Sequence, residues 1–127
     1  MKLSIGTRNY AVYQPIQNLG TCNIYTGSAP STADLDPTGT LLWTGIVNNV
    51  GWANPINGTM SFQSYPLTAN AIATGTAGYC RFNDTANTYR LDLSVGLSGA
   101  ECTLSSLDLV SGQSTGITSL AITLPSE

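Results

Sequence analysis

The chain has 127 residues with only four basic and seven acidic side chains, no histidine and a net charge of −3. So little positive charge argues against binding a phosphate backbone, which needs clustered Lys and Arg to displace counterions. The missing imidazole removes the usual base of nucleophilic catalysis. At this length one domain with one core is expected.

In chain order, Met1-Lys2-Leu3 opens without an apolar h-region, so the expectation is cytoplasmic synthesis with no cleaved leader. No apolar run nears the roughly 20 residues of a bilayer-spanning helix. Thr7 is read as the cap of a short helix running to Val12 or Tyr13 and stopping before Pro15. Thr21 to Tyr25 alternates polar and apolar positions as a half-buried strand does. A proline-marked loop, Ser28 to Gly39, leads to a strand over Leu41 to Val47 that carries Trp43. Asn54-Pro55 and Asn57-Gly58 signal turns, and Thr59 to Tyr65 returns as a strand with Met60, Phe62 and Ser64 on one face.

From Ala71 to Phe82 the residues are small until Tyr79, and Gly75 and Gly78 suggest a bulge or a close backbone approach. A turn over Asn83 to Asn87 precedes the cleanest strand, Thr88 to Val95. There Tyr89, Leu91, Leu93 and Val95 face one way, and Arg90, Asp92 and Ser94 the other. Glu101 to Leu104 with Leu107 to Val110 reads as a broken strand, and Thr115 to Leu124 closes the domain. Short strands with turns at roughly 8–12-residue spacing define an all-β fold: one antiparallel β-sandwich, jelly-roll or immunoglobulin-like, with a short N-terminal helix.

No set of residues makes a persuasive catalytic site. Lys2, the single lysine, has no catalytic motif around it in the sequence. Asp34 and Asp36 read as turn caps acting through their side chains before they read as a calcium or acid pair, and Asp92 falls on the polar face of its strand. The expectation is no enzyme and no cofactor. Cys22 shares a face with Ile24, and Cys102 with Leu104, so the three cysteines, Cys80 included, read first as buried small hydrophobes. A bridge between subunits and an internal bridge stay open. Trp43 is expected in the core, whereas Trp52 lies in a turn-rich segment where an exposed ring could stack on a sugar.

Several stretches resemble a family of small structural proteins of tailed bacteriophages. They are Leu3 to Asn9, Ile24-Tyr25-Thr26-Gly27, Ala29-Pro30, Ala33-Asp34, Pro37 to Leu42, Gly75 to Phe82 and Ile117 to Pro125. The resemblance implies a virion structural protein without catalytic residues. The resulting expectation is a homo-oligomer, with a trimer as the expected state, that decorates or cements a capsid by touching copies of itself and the major capsid protein, with neither nucleic acid nor membrane as partner. A neck, collar or tail ring and a carbohydrate-binding module for host attachment are the alternatives. Residues 1–20 form the candidate docking segment. Arg8, Tyr10, Tyr13, Trp52 and Tyr65 are the candidate interface residues, because Tyr, Trp and Arg dominate interface energetics; singly, each aromatic could equally fill its own core.

Overall fold

The computed structural model describes residues 2–16, 19–46, 54–61, 67–84 and 90–123. Helix α1 spans Ile5–Ile16. Its cap is Ser4, not Thr7: Ser4 Oγ accepts the Thr7 N–H at 3.2 Å, and the two hydroxyls meet at 2.9 Å. Ser4 stands where its oxygen reaches the amide three residues on, while Thr7 closes the pair from inside the first turn. Pro15 does not stop the helix either. In the last turn it forfeits one backbone bond instead of interrupting a run.

The strands are β1 (Leu19–Tyr25), β2 (Leu41–Ile46), β3 (Thr59–Ser61), β4 (Leu67–Asn70), β5 (Gly75–Thr76), β6 (Tyr79–Asp84), β7 (Arg90–Gly96), β8 (Cys102–Leu104), β9 (Asp108–Leu109) and β10 (Ser114–Thr123). The all-β class with one short helix is therefore as the sequence implies. Among the described residues, eight strands join in one sheet with the path β2-β1-β6-β7-β8-β10-β3, while β4 also pairs with β10; β5 and β9 form a separate ribbon. The long closing strand pairs with β4 through its first half and with β3 through its end.

Two features amend the sequence reading. The broken strand is two strands of different sheets, and β7 and β8 pair in parallel, Val95 beside Cys102. Parallel neighbours ordinarily need a long crossover. Here residues 97–101 suffice because the chain coils tightly, with Gly99 at φ 73° and Glu101 N–H donating to Ser94 Oγ at 3.1 Å.

The sheet curls until its ends meet. Trp43 of β2, fully buried, donates its indole N–H to Ala69 O of β4 at 3.0 Å, and Ile72 N–H donates to Leu42 O at 2.8 Å. Inside the curl pack Ile24, Trp43, Phe82, Leu104, Ile117 and Leu120. The alternation reading holds at β1 and β8, since Cys22 with Ile24 and Cys102 with Leu104 face this core, while on the strand with the cleanest alternation Leu93 is buried and Leu91 and Val95 are half-buried. Gly78 is the expected close approach: its N–H donates to Tyr25 O, and a Cβ there would collide with the Gly27 backbone.

Candidate functional site

On the outer face of β6 and β7, Arg81 and Asp92 stand directly opposite each other. Arg81 Nε and Nη2 donate to the two Asp92 oxygens at 2.7 and 2.8 Å, and Nη1 donates to Leu35 O at 2.6 Å. The facing carboxylate holds the guanidinium above its ordinary pKa, as a fork matched to a carboxylate should. Beside the pair, Tyr25 and Tyr79 stack at 5.3 Å. Tyr79 Oη accepts from Thr38 N–H at 2.9 Å and donates to Thr38 O at 2.8 Å. Both sets of bonds end on the loop over residues 26–40, so this polar cluster latches the loop onto the sheet. Asp92 is committed to that latch. Its chemistry is structural.

Three further carboxylates lie elsewhere on the surface. Asp34 and Asp36 are exposed, and the turn that Asp34 was expected to cap is made by Thr32, whose Oγ1 accepts the Asp34 N–H at 3.3 Å. The hydroxyl two residues upstream reaches that amide by an ordinary side-chain turn. Asp108 accepts from Thr76 Oγ1 at 3.2 Å across the β5–β9 ribbon.

The N-terminal segment is built differently. Asn57 and Gly58 both have positive φ, 51° and 77°, and Ile56 and Thr59 exchange backbone bonds at 2.9 Å. This is the two-residue hairpin that an Asn-Gly pair favours. Helix α1 rests on its tip: Gly58 N–H donates to Asn9 Oδ1 at 2.7 Å, and Arg8 Nη1 donates to Asn57 O at 3.2 Å. The buried Arg8 Nε meets no partner among the described residues, so one carbonyl holds this guanidinium. Val12 is the helix's buried apolar anchor. Beside it opens a cavity of about 210 Å³ whose apolar wall includes Val12, Leu91, Leu93 and Ile122 and whose lining also includes Asp92 and Glu101.

Tyr10 and Tyr13, one helical turn apart, point outward at 68% and 42% exposure, and Ile5 is half exposed. The structure thus brings the helix residues of the predicted interface together and turns Arg8 inward. Trp52 and Tyr65 lie outside the described residues. Asn9, which fixes the helix on the hairpin, was not singled out from the sequence, and Asn in a helix gives no spacing signal. Asp92 had part of one, since it falls on the polar face of the strand read over Thr88 to Val95, but its pairing with Arg81 follows from the β6–β7 register, which the turn read over Asn83 to Asn87 did not give.

No family model, characterised protein or solved structure matches this chain. No helix among the described residues is long and apolar enough to cross a membrane.

Proposed function

We propose that the protein is a non-enzymatic structural component of a tailed-phage virion that decorates or cements the capsid through protein–protein contacts. The observation that carries this reading is the outward pair Tyr10 and Tyr13 on a helix pinned to a charge-poor β-body. Tyrosine adds large contact area at a low entropy cost, and a helix fixed at two points presents both rings at a set spacing. Each copy then needs only a modest contact, because repetition over a shell supplies avidity. The phage setting rests on the resemblance of the segments named above.

The test is the number of copies per purified particle of the phage that encodes the chain, measured by quantitative mass spectrometry against the major shell protein. Copies comparable with the shell protein support the decorating role. A small fraction of that number overturns it in favour of a neck or tail ring, and absence from particles overturns the virion reading altogether. A sugar-binding role gains nothing from Trp43, whose ring is buried.

A further inference from the structure

The three cysteines come from distant parts of the chain and meet at one point of the core. Cys22 on β1 lies opposite Phe82, and Cys80 on β6 opposite Ile24, so the two are diagonal neighbours on one face of an antiparallel pair. Their Sγ atoms are 2.7 Å apart, inside the separation of non-bonded sulfurs and somewhat beyond the ~2.05 Å of a formed bridge. Cys102 on β8 supplies the third thiol, and it too interacts with Cys80. All three are fully buried and reduced. No group of three His, Cys, Asp or Glu side chains among the described residues is arranged to hold a metal ion.

We propose that Cys22 and Cys80 form an internal thiol–disulfide site: on oxidation they bridge, tying β1 to β6, while Cys102, on β8 across the intervening β7, keeps its thiol. The oxidant is a small disulfide of the glutathione class. One cysteine, as thiolate, attacks a sulfur of that disulfide and displaces the first small thiol, leaving a mixed disulfide. The second cysteine thiolate attacks the protein sulfur of that intermediate and displaces the second small thiol. The two protons lost by the cysteines end on the two released thiols, and the two electrons given up reduce the oxidant. Burial keeps the three folded thiols neutral past the usual thiol range, so the reaction proceeds while the chain folds or when the strands open.

The test is to refold the purified protein in a glutathione and glutathione-disulfide buffer, count thiols by alkylation and intact mass, and map the bridge after cleavage at aromatic residues. Cuts at Tyr25, Tyr79 and Phe82 separate Cys22 from Cys80, whereas cleavage at arginine leaves both on one peptide. The expected result is one alkylatable thiol per monomer and a Cys22–Cys80 bridge. Cys22→Ala and Cys80→Ala each leave two reduced thiols, and Cys102→Ala leaves the bridge in place. The wild-type map needs no variant, so the proposal stays testable even where an alanine fails to fold. Three free thiols after oxidative refolding, a bridge between two chains, or a wild-type bridge that involves Cys102 overturns it.

Discussion

Two arginines show how differently the two halves of this molecule are held. Arg81 is fully buried, with a carboxylate fork on one side and a loop carbonyl on the other. Arg8 reaches a single carbonyl at a hairpin tip. The first fastens a loop to the centre of the sheet in surroundings where an unpaired charge would be costly. The second steadies a helix whose tyrosines look outward. The densest pairing is around β1, β6 and β7, and the helix with the outward tyrosines is joined to the body at the hairpin tip and through Val12. Changes at the centre should therefore unfold the protein, while changes on α1 should spare it.

The largest effect is expected at the latch. Arg81→Met leaves the half-buried Asp92 carboxylate without its partner and lowers the unfolding free energy by about 3 kcal/mol, the low end for a broken enclosed pair, read as a fall in the denaturant midpoint. Adding Asp92→Leu should restore most of the loss, because two apolar groups need no partner. Gly78→Ala presses a methyl group into the Gly27 backbone, and overpacking of this kind costs about 1–3 kcal/mol.

The thiol cluster predicts an alkaline loss of stability. The folded cysteines have pKa values raised above the ordinary 9.0 by burial, and Cys102 is raised as well, first by its bond to Cys80. Below pH 9 all three are neutral in both states and their contribution is fully present. As pH rises beyond 9 the unfolded chain releases protons that the folded core retains, so stability falls, by at most about 1.4 kcal/mol per pH unit for each thiol. Denaturation curves of reduced protein between pH 8 and 11 read this slope, which Cys102→Ala should make shallower.

Ser4→Ala should cost about 1 kcal/mol, confined to α1. Faster amide exchange at Thr7 and Arg8 with an unchanged global midpoint is the expected signature. If the midpoint moves as far as it does for Gly78→Ala, helix and sheet are one cooperative unit and the contrast between them fails.

The sequence disclosed these two regions unequally. Alternation located β1 and β7 and put the cysteines inside, because a half-buried strand must alternate whatever its neighbours are. Asn57-Gly58 and Gly78 were legible because backbone conformation and close approach select those residues locally. The parallel join of β7 and β8 was hidden, since glycine and serine around residues 96–100 suit an ordinary hairpin equally well. Strand β4 went unread because Leu67–Asn70 is short and gains its place only by pairing with β10. At the helix start, Ser4 and Thr7 both offer hydroxyls, and only three-dimensional reach decides between them. The sequence marks Tyr10 and Tyr13 as candidate contact residues with a core position left equally open, and what holds their helix, Asn9 and the hairpin tip, depends on a contact between residues 49 positions apart.

The most direct test of the account is the double variant Tyr10→Ser with Tyr13→Ser, assayed for copies per assembled particle and for thermal unfolding of the purified protein. The account predicts a stability change within about 0.5 kcal/mol, as for exposed positions generally, together with a severe loss of the protein from particles. Full incorporation of a stably folded double variant would contradict it.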